Sequence, residues 1–156
     1  MSVDRELHVA TSIRGLPSWL LGRAAARGRA LVAEHLARHD IKLWEHAVLS
    51  ALSDLGEISQ AELGRAIALD RKDVAGVVSG LEGRGLLTRA PDPRDRRAVI
   101  ITITADGKRL ARQCARAGAD ANEQLLADLT PDERARLVDL VTRVARVDGE
   151  PTASST

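Results

Sequence analysis

The segment RAPDPRDRRAVIITIT, residues 89–104, crowds Arg89, Asp92, Arg94, Asp95, Arg96 and Arg97 into nine positions beside two prolines. A solvated turn needs only Gly, Asn or Asp, so this density of guanidinium groups makes the segment a candidate for holding an anion. A second polar group opens the segment RKDVAGVVSG: Arg71, Lys72 and Asp73, with Ser79 two turns on from Lys72. Arg71 and Lys72 can donate to a phosphate oxygen or to guanine O6/N7. Asp73 can accept from cytosine N4 or stabilise a helix start. A third pair, Ser59 and Gln60, suits phosphate oxygens if it opens a helix, where backbone N–H groups lack partners.

Covalent chemistry has no comparable support. There is no nucleophile-elbow motif, no phosphate-binding glycine loop and no paired metal motif, and the carboxylates are scattered. The chain is expected to be no enzyme and to need no cofactor. His35 and His39 stand four apart, with His46 further on. Two histidines without a nearby cysteine read more readily as surface residues than as metal ligands, so no metal is expected. The lone Cys114 excludes an internal disulfide.

The elements that must carry these residues follow from periodicity and caps. Pro17 suits the first position of a helix that Leu20, Leu21, Ala24, Leu31 and Leu36 continue to about His39; residues 1–15 form a short arm or fray. LWEHAVLSALSDLG reads as a second helix, ended by Gly56. Ser59 and Glu62 form a capping box for a short third helix stopping near Ile67. Asp70 caps a fourth, in which Val74, Val77, Val78 and Leu81 make one inward stripe and after which Gly85 takes the C′ role. The period then changes to that of strands in LLTRA and AVIITIT, joined by residues 91–97. Thr104 caps a fifth helix to about Asp128, and Thr130, Pro131 and Glu133 begin a sixth that runs to about Val147.

Two short helices at a tight turn, then a two-stranded hairpin, make a winged helix-turn-helix. The second of those helices enters the DNA major groove by its leading end and outer face, here Arg71, Lys72, Asp73 and Ser79, with Ala75 and Gly76 between them. The charged loop becomes the tip of the wing. The minor groove, about 6 Å wide, admits an arginine side chain but no helix, and Arg94, Arg96 and Arg97 are the candidates. Asp95 is expected to brace the wing by pairing with one of them. The fold class is therefore mainly α with a small β-hairpin wing: a winged helix-turn-helix core flanked by dimerisation helices. One domain is expected over residues 1–156, with dimerisation helices at 16–39 and 105–147, the lobe at 42–104 and a disordered tail at 148–156.

The stretch from SQAELGRAIALDRKD to ITITADGKRL resembles the winged-helix core of MarR-type transcriptional regulators. The wing pattern D-x-R, six residues, T-x-x-G is matched by Asp95, Arg97, Thr104 and Gly107. The resemblance implies a homodimeric DNA-binding repressor on a palindromic operator of double-stranded DNA, released by a small-molecule effector. It also implies a ligand pocket between the dimer helices and the winged lobe, with Trp19, Trp44 and His46 as candidate lining and Arg23 as a partner for an anionic group. One departure stands out: where many members carry a hydroxyl pair and a later Arg on the recognition helix, this chain has Lys72, Asp73 and Gly76. Peroxide-sensing relatives use a cysteine near the N-terminus, which this sequence lacks.

Bulk composition fits a partner that carries negative charge. The net charge of +1 over 156 residues conceals a basic middle third, with 10 basic and 7 acidic residues from 59 to 109. No apolar run approaches the roughly 18 residues of a membrane span, no signal peptide is visible, and the chain is expected in the cytoplasm with no membrane partner. Two other classes stay open: a non-specific dimeric DNA-coating or architectural protein, and a protein-interaction module that has lost DNA binding.

Overall fold

The computed structural model describes residues 11–95 and 97–146. Its elements are α1 Thr11–Arg14, α2 Pro17–Ala37, α3 Leu43–Leu55, β1 Ile58–Ser59, α4 Gln60–Ala66, α5 Arg71–Gly83, β2 Leu87–Pro91, β3 Val99–Ile103, α6 Ala105–Leu125 and α7 Pro131–Ala145. They form two units, one reaching Leu125 and one from Leu126 onward. Val147 and the tail lie outside the described residues. Among the described residues no helix is long and apolar enough to cross a membrane.

Local chemistry accounts for the helix starts. Pro17 opens α2. Lys42 N–H donates to Glu45 Oε2 at 2.8 Å ahead of α3. Ser59 and Glu62 complete the expected capping box, and Asp70 Oδ1 accepts the Asp73 amide at 2.9 Å. Gly56 and Gly85 take φ of +75° and +71°, conformations that a Cβ would strain. In the second unit Thr130 N–H donates to Glu133 Oε2 at 2.8 Å, and Thr130 Oγ1 accepts the Glu133 amide at 3.4 Å.

The core of the first unit is aliphatic, as a chain with two Trp and no Phe or Tyr requires. Leu36, Leu49, Leu52, Leu63, Leu81 and Ile101 are all fully buried. α6 turns a stripe of small residues inward (Gly107, Ala111, Cys114, Ala117 and Ala121), which lets α2 pack closely along it. Burial pushes the Cys114 thiol pKa up, which leaves less of the thiolate that redox chemistry needs.

The sheet differs from a plain hairpin. Its order is β1-β3-β2, all antiparallel, with Ile58 opposite Ile101 and Leu87 opposite Ile103. The two residues of β1 are too few to show a periodicity, yet they fasten the start of α4 to the wing. Pro91 belongs to β2, not to the link; β2 is an edge strand, where a missing N–H is tolerated. The wing link is therefore 92–98. α6 ends at Leu125 and α7 at Ala145, slightly short of the expected Asp128 and Val147.

The caps carry a pH dependence. Hydrogen bonds from Ser59 hold Glu62 below the usual carboxylate range, the Asp73 amide does the same to Asp70, and the Thr130 amide does so to Glu133. A carboxyl whose folded pKa is depressed stabilises above its unfolded value, about 4, and loses that contribution as pH falls through the folded value. Melting temperature should therefore fall on acidification below about pH 4.3. In a paired thermal scan, Glu62→Gln should flatten part of that slope; an unchanged slope would contradict the assignment.

Candidate nucleic-acid interface

α4 and α5 approach closely because residue 64 is glycine. A Cβ there would lie 3.2 Å from the Leu69 carbonyl oxygen and 3.3 Å from Val74 Cγ2. Ala68 makes the turn at φ +53°, a left-handed conformation that costs an L-residue about 1–2 kcal/mol. The Leu69 amide closes the turn on the Gly64 carbonyl at 3.0 Å. Val74, Val78 and Leu81 are buried and Val77 half-buried, which leaves Arg71, Lys72, Asp73, Gly76 and Ser79 exposed on the outer face.

β1 brings the start of α4 beside the wing, and a concavity of about 670 Å³ results. Ser59, Gln60, Arg65, Arg71, Asp95 and Arg97 line it among others. Five of these six are residues singled out from the sequence, drawn from three separate segments. Arg65 is the addition. Its position in the last turn of α4 carries no mark in the sequence, and only the pairing of β1 with β3 turns that side of α4 toward the wing. Lys72, Asp73, Ser79 and Arg94 do not line the concavity.

The polar groups divide between holding the scaffold and facing outward. The Ser59 hydroxyl accepts the Glu62 amide at 3.2 Å and donates to Glu62 Oε2 at 2.6 Å, so in the free protein it is engaged in the cap. Asp70 likewise spends its carboxylate on the helix start. The like charge of Asp70 raises the Asp73 carboxyl pKa. Arg71, Lys72 and Arg97 make no ion pair among the described residues, and Arg94, 94% exposed, reaches only to 4.0 Å from Asp92. Arg96 lies outside the described residues.

The wing tip is braced through its backbone. Asp92 Oδ1 accepts the Arg94 amide at 2.8 Å and Asp95 Oδ1 accepts the Arg97 amide at 2.9 Å. The Asp92 amide donates to the Ala98 carbonyl at 3.0 Å, and the Ala98 amide to the Asp95 carbonyl at 2.9 Å. Asp95 thus acts on the main chain of Arg97; among the described residues it pairs with no arginine side chain, and Arg96, one of the three partners expected for it, lies outside them. Aspartate is suited to this: its short carboxylate reaches the amide two residues on.

At its base the wing is tied to α5. Arg89 Nε donates to Glu82 Oε2 at 2.9 Å, and a second N–H of the same guanidinium reaches the same oxygen. This pair holds the Glu82 carboxyl below its usual range. If it sets the angle between α5 and the wing, Glu82→Arg alone should weaken operator binding. The swap Glu82→Arg/Arg89→Glu should recover most of the loss in a fluorescence anisotropy titration. A swap no better than the single variant would instead make Arg89 a direct DNA contact.

The candidate effector residues are dispersed. Arg23 stacks over the Trp19 ring at 5.6 Å, a cation–π contact. Trp44 is 48% exposed on α3. His46 is half-buried; its Nδ1 lies 3.4 Å from the Ser50 hydroxyl, and burial pushes its pKa down. The 670 Å³ concavity is not lined by any of them, nor is a smaller depression between α2 and α6. No group of three or more potential metal-ligating side chains occurs among the described residues, and His35 bonds to Gln124 at 3.1 Å.

Comparison with known proteins meets this geometry at the same residues. The model of the MarR family matches residues 39–98, which span α3, the helix-turn-helix and the wing tip. The HTH-type transcriptional repressor NicR of Pseudomonas putida is 31% identical over 129 residues, covering 83% of this chain and 82% of that protein. The chain belongs to the MarR family. It is a winged helix-turn-helix transcriptional regulator, and the family consists of regulators, not enzymes. Two solved MarR-family structures extend the likeness. A mutant of Escherichia coli MarR, complexed with operator DNA, superposes with a TM-score of 0.73 at 27% identity, covering 81% of this chain and 91% of that one. The PcaV regulator of Streptomyces coelicolor, in complex with its natural ligand, gives a TM-score of 0.73 at 31% identity over 90% and 99%.

Proposed function

We propose that this MarR-family protein is a homodimeric repressor that grips a palindromic operator with α5 in the major groove and the wing in the minor groove, and that a small aromatic or anionic ligand releases it. The observation that carries the reading is the concavity in which Gln60, Arg71 and Arg97 converge from three segments, with guanidinium groups at its rim that have no ion pair among the described residues. The operator-bound MarR structure of the same fold supports DNA as the partner.

The dimer is supported by apolar surface without a cover. On α7, Val138 is 59% and Val144 65% exposed; at the start of α2, Leu20 is 49% exposed. A second copy of the chain is the partner that a closed two-fold assembly and a palindromic site both require. Binding of a ligand is supported by PcaV, whose structure is a complex with its natural ligand, and Trp19, Arg23, Trp44 and His46 are the residues proposed to meet one.

The test is an anisotropy titration of the full chain on the DNA upstream of its own gene, against random duplex, across a salt series, with sedimentation for the dimer. A steep salt slope with a retained preference for the upstream DNA is expected. Equal affinity for random DNA would favour the coating or architectural reading, and no salt-dependent binding the protein-interaction module.

A further inference from the structure

A second basic constellation lies away from the DNA-facing concavity. The end of α2 and the middle of α6 run side by side and leave a depression of about 200 Å³. It is lined by His35, Arg38, His39, Gln113, Arg116 and Asp120, with Ala117 at its floor. Apart from the His35–Gln124 bond, none of these side chains has a hydrogen bond or ion pair with any other described residue. Asp120 lies one turn beyond Arg116 on α6, yet the two do not pair.

Unpaired arginines are ordinary on an open surface. Here two of them, one in the turn after α2 and one on α6, line one concave place, together with an imidazole and an amide that can donate. A guanidinium presents a planar fork of donors matched to a carboxylate. One fork comes from the residue that follows α2 and one from α6, and a ligand with a carboxylate at each end would satisfy both. The volume sets its size. It falls below the 300–1,000 Å³ of sites for drug-sized molecules, which suits a small ligand. Asp120 supplies the one opposing charge and should weaken any anion bound there.

We infer that the depression between the C-terminal end of α2 and the middle of α6 binds a small dicarboxylate, held by Arg38 and Arg116 and by donors from His39 and Gln113. None of the residues proposed to contact DNA lines the site, nor does Trp19, Trp44 or His46, so its failure would leave the proposed operator binding untouched.

The test uses the full chain and succinate as the probe, with sodium chloride at matched ionic strength as the control. Histidine ring-proton resonances and calorimetry provide the readout. The signals of His35 and His39 should shift saturably. Arg38→Gln and Arg116→Gln should each weaken binding roughly tenfold, the loss of one hydrogen-bonded charge partner, whereas Asp120→Asn should tighten it. These side chains are exposed or half-exposed, so the variants are expected to fold, and circular dichroism checks this. Shifts reproduced by sodium chloride, or unchanged affinity in both glutamine variants, would overturn the site. Acetate or inorganic phosphate binding as tightly as succinate would overturn the dicarboxylate assignment.

Discussion

Arg97→Ala should weaken operator binding by about 1–3 kcal/mol, roughly five- to 150-fold, and leave the melting temperature unchanged. The side chain is exposed at the wing end of the concavity and has no ion pair among the described residues, so its removal takes nothing from the fold. Its main-chain amide, held by Asp95 at 2.9 Å, survives the substitution. The wing should keep its shape and lose only the guanidinium. If that group sits in a minor groove, the loss should be greatest for sites flanked by A·T-rich DNA, where a narrow groove concentrates negative potential. If it neutralises a phosphate instead, the loss should be uniform across sequences, with the salt slope shallower by about one. Asp95→Asn would act differently: it keeps an acceptor for the amide, and should cost far less than Asp95→Ala.

The largest effect on stability is expected at Gly107. A Cβ built there would lie 2.0 Å from the Leu86 carbonyl oxygen and 2.8 Å from Ile103 Cγ1. The first of these contacts is with main chain, so no rotamer change relieves it. The junction is also dense in hydrogen bonds. The Thr104 amide donates to the Leu86 carbonyl at 3.1 Å, the Thr104 hydroxyl donates to the Gly85 carbonyl at 2.8 Å, and the Gly107 amide donates to Thr104 Oγ1 at 3.1 Å. Gly107→Ala must push the first turn of α6 off the base of the wing and break part of this set. The cost should be about 3 kcal/mol, against a helix-propensity gain of at most about 1 kcal/mol. The melting temperature should drop by roughly 10 °C. Gly80→Ala on α5 is the control: nothing lies within 4 Å of its Cβ, so only the propensity gain, about 0.5–1 kcal/mol, should appear. A Gly107→Ala variant as stable as the parent would mean that the junction is looser than described.

The same junction shows what can be read from the sequence alone. Thr104 and Gly107 are visible there as parts of a family pattern, but their reason is not: the Leu86 carbonyl that excludes a Cβ is 21 positions away. Caps are legible because they are local. Ser59 with Glu62, Asp70 with Asp73, Thr130 with Glu133 and Gly85 each act within a few residues, and each stands where its spacing places it. The inward stripe of α5 is legible for the same reason. β1 is not, since two residues have no periodicity and are a strand only because β3 pairs with them. Arg65 escapes notice as a consequence, because the wing side of α4 is defined by that pairing. The bond from the Arg97 amide to Asp95 is a main-chain contact that sequence spacing does not distinguish from a pair with a neighbouring guanidinium.

In the proposed repressor one surface, from the start of α4 through α5 to the wing, lies on the operator twice in a two-fold arrangement. Hydroxyl-radical footprinting of the full chain on the DNA upstream of its own gene tests this most directly, with Arg97→Ala run beside it. Protections symmetric about one centre are expected, flanked by minor-groove protections that fade in Arg97→Ala while the central ones persist. Continuous protection without a centre, or a footprint that Arg97→Ala leaves unchanged, would contradict it.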